Sequence, residues 1–488
     1  MIPRLVLLGA LFGSAPLPAA GEYRFSMDGK EFDPHILPVL GERKGAYAPG
    51  DVSGPSSFPF VLGKPGHYQF RIGGKEKTKR FCQIDDQPER CVGVILKRDG
   101  DRDDVPLINP LAKMTPAERG HLWGIVLREL PAPKEWEAAF EGVDWSKAVL
   151  SIDLSRDLEK AAKFPPLPAN LQYLELFDVP EKMVAAGWKD LTELRYLRLY
   201  SPDRFDLRLL KNASQLRNLD IEYGSLANPD ALANLGALRF LKIRRSKGLG
   251  NLTFVRSMPH LRVLKIDHSE VTDLRPVAAC PDLRLFSASA TEADQLPDPA
   301  KLPALRDLRL LGTPVALDKD RISAFRKAAP PDCIVRADWQ QTLLSKLGRI
   351  DRLRVRTGDM FENQKTHFEI ADPDRIGALM KGIKLNDADS GLSCNCNGDP
   401  RLEFYREEQL VITISFQHSK RLRWRNGLWP GDALLTPESA DLLCDFMAEE
   451  GLEGPKKNLE EHRNDEASED GRAHYQRALE NFREDASR

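Results

Sequence analysis

The side chains best equipped for chemistry sit in "DADSGLSCNCNGD" (residues 387–399), where Cys394 and Cys396 are separated by one residue. Thiolates and imidazoles are the ligands that zinc and copper prefer, so this pair with His367 or His418 would suit a soft metal. C-x-C without a second, well-spaced pair is a weak signature. A disulfide from one of them to Cys444, or a strained local bridge, is the more natural reading in an oxidising compartment, and no metal is expected. Asp387 and Asp389 hint at a calcium loop, but Gly391 falls at the fifth place instead of the sixth and no Glu stands at the twelfth. Upstream, Cys82 and Cys91 flank the turn-rich "QIDDQPER" and are expected to pair, which would stabilise the fold by up to ~3 kcal/mol. Cys444 followed by Asp445 is the one feature that invites a covalent mechanism. The sequence has no H-E-x-x-H, no G-x-S-x-G, no phosphate-binding loop and no dinucleotide fingerprint, so no catalytic residue and no cofactor is assigned.

These residues need a scaffold, and length bounds it. With 488 residues, 41% of them hydrophobic and 30% charged, the chain is too long for one ordinary core and has the makeup of a folded, multi-part protein. A formal net charge of −2 gives no general attraction to nucleic acid or anionic membrane, so any charged partner must meet a local patch. The start, "MIPRLVLLGALFGSAPLPAA", has Arg4, a short apolar stretch and small residues up to Ala20, the layout of a secretory signal over residues 1–20. No later segment is apolar enough to span a membrane, and the expected location is exported, periplasmic or secreted.

The middle of the chain repeats itself. Leu171, Leu194, Leu216, Leu238, Leu261, Leu283 and Leu305 open successive copies offset by 22 or 23 residues. Apolar residues follow at the fourth place (Leu174, Leu197, Leu219, Leu241, Leu264, Phe286, Leu308) and the sixth (Leu176, Leu199, Ile221, Ile243, Ile266, Ala288, Leu310). Val149, Ile152 and Leu154 supply a degenerate earlier copy at the first, fourth and sixth places. A short strand buries its fourth and sixth side chains on one face, while the second, third, fifth and seventh look elsewhere. Return-path anchors such as Leu226, Leu232 and Leu235 match Val271, Val277 and Cys280 in another copy. No copy can bury these alone, so neighbours must stack and share one core. At the ninth place, Gly224, Ser246, Ser269, Thr291 and Thr313 suit a tight exit from the strand.

On this phasing, residues 149–337 resemble a leucine-rich repeat array of the short bacterial, internalin-like class. The fold class expected is therefore α/β, a solenoid with a parallel sheet on its concave side. The family favours Asn at the ninth place; Ser, Thr or Gly stands there here, so the usual asparagine ladder is weakened or replaced by hydroxyls. The resemblance implies binding of a protein or peptide on the concave side. With strands ~4.8 Å apart, eight copies lay out roughly 34 Å of sheet. The second places read Gln172, Arg195, Arg217, Arg239, Arg262, Arg284 and Arg306, an arginine column. Tyr173, Tyr196, Tyr200, Phe240, Arg198, Lys242, Arg244, Lys265 and Arg309 complete the candidate binding residues. Eleven cations oppose five anions, Glu175, Asp220, Glu222, Asp267 and Asp307, which points to an acidic or mixed partner. The competing reading is a solvated strand edge, with the acids present to relieve repulsion between stacked like charges. Nucleic acid is not expected.

The flanks divide into a small β-rich region over 21–110, with "HYQFRI" and "CVGVIL" as strands, and a helical cap over 111–148. In that cap "TPAERGHLWGIVLREL" places Leu122, Trp123, Val126 and Leu127 at helical spacing behind Thr115 and Pro116. An α+β module is expected over 338–452, with strands at "RLRVRT", "HFEI", "LEFY", "LVITISF" and "RLRW" and helices behind Asp372 and Thr436. Residues 453–488 are charged and weakly patterned, the profile of a flexible tail. The function expected is recognition without catalysis. The alternatives are an enzyme or effector whose repeats recruit substrate to the C-terminal module, and a structural spacer in an envelope assembly. The oligomeric state is left open.

Overall fold

The computed structural model describes residues 25–27, 30–32, 80–84, 87–95, 116, 124–127, 140–146, 149–153, 167–177, 188, 191–202, 204–358, 365–388, 390–391, 398–424 and 427–467. The signal reading of residues 1–20, the strand expected at "HYQFRI", the side chains of Cys82 and Cys91, and Cys394, Cys396 and residues 468–488 lie outside them.

Two antiparallel hairpins come first, β1 (Phe25–Met27) with β2 (Lys30–Phe32) and β3 (Arg80–Ile84) with β4 (Gln87–Ile95). β4 continues in parallel into β5 (Gly124–Leu127), and β5 into β6 (Val149–Asp153). There follow β7 (Tyr173–Phe177), β8 (Tyr196–Tyr200), β9 (Phe205–Asp206), β10 (Asn218–Glu222), β11 (Leu226–Ala227) and β12 (Phe240–Arg244). β13 (Val263–Lys265), β14 (Leu285–Ser287), β15 (Asp307–Arg309) and β16 (Ile334–Arg336) complete the run. β9 pairs with β11 in the return paths; the others from β3 to β16 form one twelve-stranded sheet in chain order.

The helix expected around Gly124 is a strand instead. Its four residues G-I-V-L are too short an apolar run for periodicity to separate helix from strand, and the parallel ladder to β6 decided the matter. The degenerate first copy also sits two residues earlier than its pattern implied: Leu150 pairs with Leu174 and Ile152 with Leu176. A shift of two keeps every side chain on its own face, so alternation alone cannot fix it.

From β7 to β15 the expected register holds, with Leu174, Leu197, Leu219, Leu241, Leu264, Phe286 and Leu308 side by side. All seven are 0% exposed, and the sixth-place residues are at most 2% exposed, so the copies share one unbroken core. Each such side chain contributes ~1.5–3 kcal/mol of burial. The return paths are single 3-10 turns such as Leu207–Asn212, Pro229–Asn234, Thr253–Ser257 and Arg275–Ala279. Proline near the first position of several spends no backbone hydrogen bond, because that N–H has no partner inside the turn. After β15 the return path thickens into α1 (Pro314–Leu317) and α2 (Lys319–Ala328), and Val335 of β16 closes the ladder beside Leu308.

Downstream, α3 (Trp339–Leu347) leads into an antiparallel sheet with its own core. Its strands are β17 (Arg352–Thr357), β18 (Lys365–Ile370), β19 (Leu385–Asn386), β20 (Arg401–Arg406), β21 (Gln409–Gln417), β22 (Arg421–Trp424) and β23 (Asp432–Leu435), in the order β18-β17-β20-β21-β22-β23-β19. α4 (Pro373–Gly382) and α5 (Pro437–Glu449) start where Asp372 and Thr436 cap them, as the sequence predicts. Gly451, at φ +83°, follows the end of α5. The tail expected from residue 453 is instead helical over Gly454–Ala467 (α6). Leu459 is buried in the second core, and Arg463 and Lys456 pair with Asp441 and Asp445 of α5. Leu459 and two cross-helix pairs are too sparse a pattern to show as periodicity.

Candidate binding face of the repeat sheet

The face of the sheet turned away from the core carries the second, third, fifth and seventh places of each copy, and register fixes how they meet. In the fifth place Glu175, Arg198, Asp220, Lys242, Lys265, Ser287, Arg309 and Arg336 stand side by side. Opposite charges therefore fall on neighbouring strands. Lys242 Nζ lies 3.2 Å from Asp220 Oδ1 and also bonds Glu222; Arg198 reaches the same two acids at 3.9 and 3.8 Å. Burial works to raise the Glu222 carboxyl, but the Lys242 ammonium outweighs it and holds the group below the usual range. Asp307 is shared by Arg309 at 2.7 Å and Arg336 at 3.1 Å, and Tyr196 donates to Glu175 at 3.2 Å. Asp267 accepts from the Ser287 hydroxyl and, at 2.9 Å, from the Ser289 N–H.

The inner columns thus close on themselves. Tyr196 and Phe240 are buried, and Phe240, Val263 and Leu285 form a second small apolar cluster on this face. Arg198, Lys242 and Arg309 are already engaged with acids, while Tyr173, Tyr200 and Arg244 are half-buried. Lys265 is the exception: it makes no ion pair among the described residues. Burial, with Arg309 and Lys242 nearby, pushes its amine down to about 7.

The second-place column is different in kind. Arg217, Arg284 and Arg306 are exposed, and Arg195, Arg239 and Arg262 are half-buried. Their backbones form a continuous ladder in which each N–H donates to the previous copy's second-place carbonyl, from Arg217 to Arg195 at 2.9 Å through to Arg306 to Arg284 at 2.8 Å. None of Arg195, Arg217, Arg239, Arg262 and Arg284 forms an ion pair among the described residues.

A third feature was not legible as such. In the six copies opened by Leu194 to Leu305 the eighth residue has left-handed backbone: Ser201, Tyr223, Arg245, His268, Ala290 and Gly312, with φ between 50° and 71°. Glycine at one of the six was the available signal, since only glycine adopts that φ without cost. Tyr223, Arg245 and His268 bear large side chains there, and they are used: Arg245 stacks over the Tyr223 ring at 5.5 Å. Pro430 O, in the loop between β22 and β23, accepts from His268 Nε2 at 2.7 Å and Arg245 Nη2 at 3.3 Å. Burial, with the Arg245 and Arg244 charges, pushes the His268 imidazole down to about 4, so at neutral pH it donates as a neutral ring. Trp429 donates to Trp339 O at 3.1 Å, and Trp339 packs with Leu311 of the last copies. The C-terminal module is therefore seated on the array at two places.

Immediately after three of these left-handed residues a hydroxyl takes the turn. Thr291 and Thr313 bond the carbonyls three residues back at 2.8 and 2.7 Å, and Ser246 accepts from Gly224 N of the previous copy at 3.3 Å. Parallel strands in 22-residue register, a shared aliphatic core and a hydroxyl-lined exit settle the architecture. The array is a leucine-rich repeat solenoid.

No protein-family model matches the sequence, and no curated protein matches it. Among solved structures, the solenoid-bearing chain is similar to internalin C2 of Listeria monocytogenes, at 18% identity over 42% of this chain and 92% of that one, with a TM-score of 0.32. A second Listeria monocytogenes internalin matches at 16% identity over 47% and 86%, TM-score 0.28. A leucine-rich repeat protein of Leptospira interrogans matches at 16% over 40% and 56%, TM-score 0.29.

The thiols divide simply. Cys280 fills a return-path slot at 0% exposure, and burial pushes its thiol up to about 12. Cys444 is a free thiol inside α5, also 0% exposed and pushed up to about 12 by burial; the bridge expected of it is not made. A thiol so far from ionising is a poor nucleophile. Asp387 accepts from the Trp339 N–H at 3.4 Å and lies 3.5 Å from Lys319, a structural duty. His367 and His418 are not brought together: one meets Phe368 edge-on, the other His462. Among the described residues no group of three or more His, Cys, Asp or Glu could hold a metal, and no helix is long and apolar enough to cross a membrane.

Proposed function

We propose that this chain is an exported recognition protein that holds a protein or peptide ligand on the concave side of its solenoid and performs no catalysis. The observation that carries the reading is the contrast within one sheet face. Arg198, Lys242 and Arg336 are matched by acids on adjacent strands and Arg309 by Asp307 of its own strand, while the second-place arginines stand in a straight row, exposed or half-buried, without acidic partners among the described residues. Arginine is over-represented in binding hot spots because its planar fork makes several hydrogen bonds at little extra ordering cost. The part of the face offered to a ligand is therefore the strip from Arg195 to Arg306, with Tyr223, 43% exposed, at the opposite ends of the strands. Export rests on the N-terminal pattern of Arg4 and the apolar stretch after it, and mass measurement of the mature chain from its native host tests it.

The binding reading is tested by using the full chain as bait in the exported fraction and naming the captured species by mass spectrometry. Arg217, Arg284 and Arg306 are exposed, so replacing all three with Glu should leave folding intact and abolish capture. Capture unchanged by that triple substitution rejects this face.

A further inference from the structure

The arginine row has a length and a pitch, and both bear on the ligand. Six arginines at about 4.8 Å per strand span five steps, about 24 Å. Like charges stacked at that spacing repel. Elsewhere on this sheet face the chain relieves such repulsion by placing Asp220, Glu222 and Asp307 on or beside neighbouring strands. In the second-place column no acid occurs in any copy from Gln172 to Arg306. Of the acids beside it, Asp282 is engaged with His260 at 3.2 Å and Asp307 with Arg309 and Arg336. Arg306 turns its guanidinium to the carbonyls of Pro303 and Leu305 at 3.2 and 2.9 Å, ending the row.

We infer that the row from Arg195 to Arg306 receives an α-helix of the partner protein bearing a stripe of Asp or Glu along one face. This deepens the binding reading above and rests on it. The choice of a helix over an extended peptide follows from pitch. A helix repeats a face every 5.4 Å, so against a step of about 4.8 Å it drifts only about 3 Å over the row, within the reach of arginine side chains. An extended strand presents same-face residues about 6.8 Å apart, and drifts about 10 Å, two full rungs out of register. A span of about 24 Å corresponds to a helix of about 16 residues.

The test uses two synthetic Ala-rich peptides of about 20 residues with equal numbers of Glu. One carries them at i, i+4 and i+7 spacing on one face, and the other spreads them around the helix. Binding to the full chain is followed by fluorescence anisotropy at low and high salt. The striped peptide should bind about tenfold more tightly, lose that advantage at high salt, and lose it in a variant with Arg217, Arg239 and Arg262 changed to Gln. Equal affinity for both peptides overturns the helical stripe. So does an advantage that survives the arginine substitutions in a variant shown by circular dichroism to be folded. If neither peptide binds while the exported-fraction partner is still captured, this inference fails and the recognition reading stands. If the striped peptide binds but no natural partner is captured, the recognition reading fails and the site survives.

Discussion

Lys265 is the residue least at ease in its surroundings. It lies between Lys242 and Ser287 on adjacent strands, and its amine is pushed down to about 7, far below the ~10.4 of a free lysine. An unfolded chain binds this proton between pH 7 and about 10.4 and the folded chain does not, so the penalty is in full force below pH 7 and fades as pH rises through that window. Lys265→Met is therefore expected to stabilise the protein at pH 7 by about 1 kcal/mol, read as a raised denaturant midpoint. A lowered midpoint would mean that the ammonium makes an attractive contact the fold needs. The buried thiols give a second expectation at this scale. Cys280 and Cys444 should resist a maleimide reagent in the native protein at pH 7.5 and react only on unfolding, because both are shielded from water and raised to about 12. Rapid native labelling of Cys444 would revive the covalent mechanism that its neighbour Asp445 invited.

Elements here are stabilised by their neighbours more than by themselves. Strands of three to five residues cannot stand alone, and a central one such as β12 depends on β10 and β13 for hydrogen bonds and on Leu219 and Leu264 for packing. Leu241→Ala should cost about 2–5 kcal/mol by leaving a cavity in a fully buried column, measured by chemical denaturation. The strand exits offer a subtler test. Since His268 is pushed down to about 4 and an unfolded histidine titrates near 6.5, the unfolded chain takes up a proton that the folded chain refuses between those values. Its contribution is complete above about pH 6.5 and is lost as pH falls towards 4, by up to about 3 kcal/mol. His268→Gln can keep a donor to Pro430 O without titrating, so its melting temperature should fall less between pH 7 and pH 5 than that of the parent. Parallel profiles would show that the Pro430 seat does not depend on a neutral imidazole.

At the scale of the whole molecule, a solenoid has raw apolar ends, and the far one is covered by the C-terminal module. Leu311, Trp339 and Trp429 pack there in a single cluster, with the two tryptophan rings 5.7 Å apart. Trp339→Ala should destabilise the chain by about 3–5 kcal/mol and, because it packs the C-terminal core on Leu311 of the last copy, separate the unfolding of the two cores into two transitions seen by calorimetry. A single transition merely shifted downward would mean that the Pro430 contacts with Arg245 and His268 suffice to couple them.

The sequence by itself determined the period, the core columns, the return-path anchors and the main strands and helices of the C-terminal sheet. Each is written in local spacing of apolar residues, capping side chains and glycine, which physics reads over a few residues at a time. Even there, alternation could not separate Leu150 from Ile152 as the fourth place, and four apolar residues at Gly124–Leu127 could not be told from a helix turn. Only the tertiary structure decided which charges of the binding face remain available. Counting side chains gave a broadly basic surface; setting strands side by side paired Arg198 and Lys242 with Asp220 and left the second-place arginines alone. The reason is that charge compensation acts between strands 22 residues apart, at distances a linear sequence does not contain.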